Sequence, residues 1–293
     1  MHLLSINWNP SEILFTLGPI QIRYYSLMFI IAFSLGYYIT KRIYDNEGIE
    51  IKYLDSLFMY AVVATLLGAR LGEVFFYNWP YYQDHLIEIL LPIKEDANST
   101  LFGFIDGYKF TGFAGLASHG AAIGIIVAMY LYRRKYQYKS LLWILDRIVI
   151  AVAIGGVFVR IGNFFNSEIV GKYTGSDFGV VFLGRGETLP RHPAQLYEAF
   201  CYVIVFAILY YTYWKTDKKN KEGYIFGLFL VLLWTVRFFV EFVKKAQIQE
   251  REEWLLLTGQ WLSIPFIIAG LYFMFRKTND ADTNAKSPKT VAS

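Results

Sequence analysis

The sequence predicts an all-α, polytopic membrane protein with about seven transmembrane helices, its N-terminus outside and its C-terminus cytoplasmic. Three observations predict this. Apolar residues gather into long blocks, aromatic residues mark the places where blocks meet loops, and alternate loops differ in their share of Lys and Arg. Of 293 residues, 55% are apolar and 19% are Phe, Trp or Tyr, above the usual apolar share of a soluble domain.

A crossing helix needs about 20 apolar residues, because the hydrocarbon layer is roughly 30 Å thick and a helix rises about 1.5 Å per residue. Runs of that length fall near 20–40, 53–77, 112–132, 141–161, 195–214, 223–243 and 257–275. They leave no soluble domain, so a single membrane domain is expected over 1–277, followed by a polar, disordered tail over 278–293. Tyr77, Trp79, Tyr210, Tyr211, Tyr213, Trp214 and Trp254 form the aromatic belts at span ends. Segments 41–52, 133–139, 215–222 and 276–293 hold 15 Lys and Arg, whereas 1–19, 78–111, 162–194 and 244–256 hold 8 over more than twice the length. The positive-inside rule puts the first set in the cytoplasm. No basic stretch precedes the first apolar run, so that span is expected to be retained.

The net charge of +4 is spread over several short loops, which offers no basic face to a nucleic acid. The one cysteine, Cys201, rules out an intramolecular disulfide and a Cys-based metal cluster. Within apolar span five it reads as a small packed hydrophobe.

Charge at membrane depth costs at least about 2.5–3.5 kcal/mol per residue, so charged positions in the spans point to function. Arg70 and Glu73 share a face of span two, and Arg237 and Glu241 repeat the arrangement on span six. Arg160 closes span four. These three arginines fall near the outer ends of different spans, which predicts a guanidinium cluster that only an anion would relieve. His119 stands in Ser118–His119–Gly120 within span three. Asp146 begins span four, where a helix N-terminus favours a carboxylate, and reads as structural. The outer stretch Arg160–Gly171, with Asn163, Asn166, Glu168 and two glycines, interrupts a helix near the membrane. Such backbone survives only when buried or lining a wet cavity. Downstream, Gln195 and Glu198 share a face of span five.

The stretch from Arg160 to Gly171 resembles the motif R-x-G-N-F-x-N-x-E-x-x-G of the bacterial phosphatidylglycerol–prolipoprotein diacylglyceryl transferase family. In the family's order come Tyr25–Met28, Gly68–Gly72, His119–Gly120, Arg191–Glu198, and Arg237 with Glu241, so the resemblance covers essentially the whole chain. The chain departs from the pattern at Val159, Ala121 and Ala194, none of which removes a charged or amide group. The resemblance implies transfer of the diacylglyceryl group of phosphatidylglycerol to the thiol of a preprolipoprotein lipobox cysteine, at the outer leaflet of the bacterial plasma membrane. Glycerol-1-phosphate leaves, and no metal or organic cofactor takes part.

Such chemistry asks for preorganised cations where charge grows on a leaving phosphate. Arginine's planar fork suits that need, which nominates Arg160 and Arg237, with Arg70 as a third contact or as the ion-pair partner of Glu73. A thiol of reference pKa near 8.5 wants a base, and His119 is the candidate by chemistry, either as that base or as a headgroup donor. The family pattern adds Tyr25, Asn163, Glu168 and Gly171: neutral groups to orient oxygens, a glycine for close backbone approach, and carboxylates, with Glu241, to hold arginines. An anion transporter is the rival class, but no internal repeat supports it. A non-catalytic lipid-binding subunit would keep the arginines and need neither His119 nor Tyr25.

Overall fold

The structure, a computed structural model, describes residues 4–18, 20–101, 104–110, 117–245 and 256–277. It is predominantly helical. Long helices α1 (Tyr24–Asn46), α2 (Ile51–Phe76), α5 (Ser118–Lys135), α6 (Leu141–Phe165), α7 (Ala194–Lys215), α8 (Tyr224–Val240) and α9 (Thr258–Phe275) accompany the seven apolar runs, and two short helices, α3 (Trp79–Tyr82) and α4 (Leu86–Leu90), follow α2. Four of the described helices are long and apolar enough to cross a membrane: Ile51–Phe76, Leu141–Phe165, Ala194–Lys215 and the stretch Tyr224–Val243 that extends α8. That is the pattern of a polytopic membrane protein. The start of the run at 112–132 and the expected tail at 278–293 lie outside the described residues.

The all-α expectation needs one correction. Among the described residues three two-stranded sheets accompany the helices: parallel β1 (Leu4–Trp8) with β6 (Phe178–Phe182), antiparallel β2 (Ile13–Leu17) with β3 (Ile20–Arg23), and antiparallel β4 (Ile93–Leu101) with β5 (Ile105–Phe110). Strands of four to nine residues escape a reading tuned to runs of about 20. Their backbone groups must still find partners, and between helices they find one another.

The chain divides into two compact units, one comprising residues 1–8, 142–160 and 169–293, the other 9–141 and 161–168. In the second unit α2 packs on α5 through small residues. A Cβ added to Gly72 would lie 2.6 Å from Gly120 Cα, and one added to Gly124 would lie 3.1 Å from Gly68 Cα. Backbones that close require glycine on both sides. At the far ends of these helices the tyrosines close their own polar groups. The Tyr132 hydroxyl donates to the Tyr53 carbonyl at 2.8 Å, and the Tyr44 and Tyr138 hydroxyls lie 2.8 Å apart.

In the first unit α8 packs on α9, where Gly227 and Gly270 each bring a carbonyl 2.6 Å from the position of the other's absent Cβ. Trp234 stacks on Phe266 with ring centroids 4.1 Å apart. Asp146, fully buried on α6, accepts the backbone N–H groups of Gly223 and Phe226, each at 2.7 Å. The first turn of a helix has no intrahelical acceptors for its N–H groups, and here a neighbouring helix supplies them.

Two outcomes follow from this packing. Gly120→Ala would drive a methyl into Gly68 O and Gly72 Cα, and should lower stability by about 1–3 kcal/mol, read as a fall in melting temperature in detergent. Asp146→Ala orphans two N–H groups and should cost about 1–3 kcal/mol per group. An unchanged melting temperature in either variant would contradict the packing described.

Candidate active site

Helix α6 ends its part of the first unit at Arg160, whose Nε stands 2.8 Å from Glu198 Oε2. Glu198, one turn into α7, has no exposed surface. Its other oxygen accepts a hydrogen bond from Lys244 Nζ at 2.7 Å. Lys244 follows the single 3-10 turn Glu241–Val243 that ends α8, is itself buried, and lies 4.0 Å from Glu241 Oε2. Burial pulls its ammonium below the usual lysine range, and the cations Arg160 and Arg237 pull the same way, while Glu198 opposes them. The Tyr202 hydroxyl, one turn beyond Glu198, meets the Arg160 guanidinium.

Arg237 sits one turn before Glu241 on α8. Its guanidinium carbon is 5.1 Å from the centre of the Trp234 ring, and its buried Nε has no hydrogen-bond partner among the described residues. Glu241 presses its carboxylate on Gly259, where an added Cβ would lie 2.6 Å from both carboxylate oxygens. The unit thus gathers three cations, Arg160, Arg237 and Lys244, with two carboxylates, Glu198 and Glu241.

Gly171 is the backbone junction of this cluster. Its N–H donates to His192 O at 3.0 Å, and its carbonyl accepts Arg191 Nη1 at 3.0 Å. On the other side Lys172 N donates to Val243 O at 2.7 Å and Lys245 N to Val170 O at 3.3 Å. Residues 170–172 therefore run between 191–192 and 243–245. A Cβ at Gly171 would lie 2.6 Å from His192 Cβ and 2.8 Å from Val243 O, so no other residue fits.

The second unit carries the remaining predicted residues. Glu168 accepts the side-chain amides of Asn163 and Asn166, each at 3.1 Å, and its own N–H donates to Asn163 O at 2.9 Å. Ser167 and Ile169 on either side have φ of 54° and 55°. That conformation is uncommon for any side chain and an outlier for β-branched isoleucine, and strain of this kind clusters at functional sites. The Tyr25 ring lies on Gly162, 2.6 Å from where a Cβ would stand. Arg70 donates from Nε to Ile89 O at 3.0 Å and from Nη2 to Glu88 O, and lies over the Tyr82 ring. Glu73 accepts the Asn78 amide at 2.7 Å. The contacts described for Arg70 are thus to the last carbonyls of α4, where a helix C-terminus favours a cation, and the one described for Glu73 is to Asn78. His119 is the second residue of α5; its side chain lies outside the described residues.

Sequence reasoning missed Lys244, which it counted among outer-loop charges, and it did not foresee Glu198 as the arginine's holder. Both left a signal: Lys244 follows Glu241 by three residues, and Glu198 shares a helix face with Gln195. Among the described residues no group of three or more His, Cys, Asp or Glu side chains is placed to hold a metal ion.

Comparison with known proteins agrees with the motif. A family model described as prolipoprotein diacylglyceryl transferase matches residues 12–276. A phosphatidylglycerol–prolipoprotein diacylglyceryl transferase of Bacteroides fragilis is 44% identical over 273 residues, covering 93% of this chain and 95% of the relative. Proteins of the same name from Tolumonas auensis and Chloroherpeton thalassium are 41% and 36% identical, covering 91% and 96% of this chain and 95% and 98% of their own lengths. On the family match and on this identity over nearly the full length, the chain belongs to the prolipoprotein diacylglyceryl transferase family.

Proposed function

We propose that this protein transfers the diacylglyceryl group of phosphatidylglycerol to the thiol of a preprolipoprotein's lipobox cysteine, the first step of lipoprotein maturation. The observation that carries the reading is the cluster of Arg160, Arg237 and Lys244 around Glu198 and Glu241. Three cations against two carboxylates leave one positive charge at near-membrane depth, where a phosphodiester monoanion would neutralise it. The names of the relatives support the same substrates. We read the seven long helices as seven spans, with the N-terminus outside and the site at the outer leaflet of the bacterial plasma membrane, because the poorly basic loops fall on that side.

In this reading the lipobox sulfur attacks the glycerol carbon that bears the phosphate ester oxygen. A carbon–sulfur bond forms, the carbon–oxygen bond breaks, and the electron pair goes to the phosphate of the departing glycerol-1-phosphate. Arg160 and Arg237 bind the headgroup and stabilise that growing charge, since guanidinium forks fixed before reaction cost no reorganisation during it. His119 takes the thiol proton. Tyr25 and Asn163 orient phosphate or glycerol oxygens. Gly171 admits the backbone approach, Glu168 fixes Asn163, Glu241 sets the charge around Arg237, and Arg70 anchors the loop after α2.

The test is transfer in phosphatidylglycerol vesicles with a synthetic lipobox peptide, following the peptide's mass and released glycerol-1-phosphate. Arg160→Ala should lower the rate about 10²-fold or more. No diacylglyceryl mass gain from the folded parent protein would sink the reading and favour lipid binding or transport. Cys201 lies within α7, and Cys201→Ser should keep the parent rate. Loss of activity in a well-expressed Cys201→Ser protein would point to a covalent lipid intermediate in place of direct transfer.

A further inference from the structure

Lys244 has no role in the steps just described, yet it is 6% exposed and makes the shortest hydrogen bond described in the charged cluster. Glu198 is held unequally. Its Oε1 accepts the Lys244 hydrogen bond at 2.7 Å. Its Oε2 lies 2.8 Å from Arg160 Nε but accepts no hydrogen bond, so the arginine has the charge contact without the alignment. The carboxylate is turned toward the lysine. A buried carboxylate must be satisfied by whatever cation is near. With Lys244 absent, Arg160 would be the only one of its two present ion contacts left to Glu198, and the cluster's charge would fall from one to zero.

We propose that Lys244 is a positioning residue for the headgroup phosphate: by occupying Glu198 it keeps the Arg160 guanidinium available to a monoanionic phosphodiester. This rests on the proposed function, and it adds to it the reason why a cation stands on the holder of the arginine. The backbone supports the assignment. Lys244 pairs with Gly171 in an isolated antiparallel bridge, so its position is set by the same junction that needs a glycine. Charge at this depth is weakly screened, which makes the count of cations and carboxylates decide anion affinity.

The full-length protein would be assayed with varied phosphatidylglycerol and fixed lipobox peptide, alongside phosphatidylglycerol binding in phosphatidylcholine nanodiscs and the melting temperature of each variant. Lys244→Met should raise the lipid KM about tenfold, Lys244→Arg should stay within about threefold, and Lys244→Met with Glu198→Gln, which restores one surplus positive charge, should return to within about threefold of the parent, where tenfold corresponds to about 1.4 kcal/mol. A purely structural ion pair would instead lower melting temperature and kcat and leave the lipid KM unmoved. The inference is overturned if Lys244→Met keeps the parent KM, or if the double variant binds no better than the single one. Should Lys244→Met fail to fold, Glu198→Gln decides: its surplus of two predicts a lipid KM below the parent's, and a KM at or above it overturns the inference. A parent that transfers nothing sinks the proposed function, while the nanodisc binding arm still tests Lys244.

Discussion

A carboxylate with no exposed surface must be matched by charge, and Glu198 is matched twice, by Arg160 on α6 and by Lys244 beyond α8. Moving an ion out of water costs several kcal/mol even after the protein relaxes, and the cost is recovered only with good geometry on both oxygens. Removing either cation leaves Glu198 to the other alone. The consequence is architectural. One side chain on α7 is the point to which Arg160 of α6 and Lys244 beyond α8 are both drawn.

The junction at Gly171 works by the same economy in the backbone. Residues 170–172 lie between two other extended segments and exchange hydrogen bonds with both. Buried backbone N–H and C=O groups need partners, and this irregular stretch finds them by borrowing from each side. A side chain at its centre would push both neighbours away. Glu168 belongs to the strained part of the loop. It is flanked by two residues at positive φ and tied through its carboxylate and its own N–H to Asn163, which fixes the asparagine more firmly than a regular helix end would.

Much of this was legible beforehand, for physical reasons. Hydrophobic runs of span length register in the sequence because each carries its own local signal, and the long helices lie along those runs. The motif residues Arg160, Arg237 and Glu241 stood out because charge there is costly, and the structure gathers them in one unit. Lys244 did not stand out. Beside Lys245 and just outside an apolar run it looks like any interfacial lysine, and only the fold buries it. Arg70 shows another limit of local spacing: the carbonyls of its described hydrogen bonds come from α4, a five-residue helix too short to register in the pattern. The paired strands escaped for a related reason, since β1 meets β6 across some 170 residues and no local period announces the pairing.

The bond from Asp146 to the start of α8 acts as a datum line. Arg160 stands fourteen residues beyond Asp146 on α6, and Arg237 stands fourteen beyond Gly223, whose N–H that carboxylate receives. At about 1.5 Å per residue both arginines are carried roughly 21 Å from the common reference. Equal counts from a shared pin place the two arginines at equal distances along their own helices, whatever the loops between them do. Insertions in the connecting segments would leave that alignment untouched, whereas a single residue added within either helix would offset one arginine from the other by about 1.5 Å and turn it about 100° around its axis.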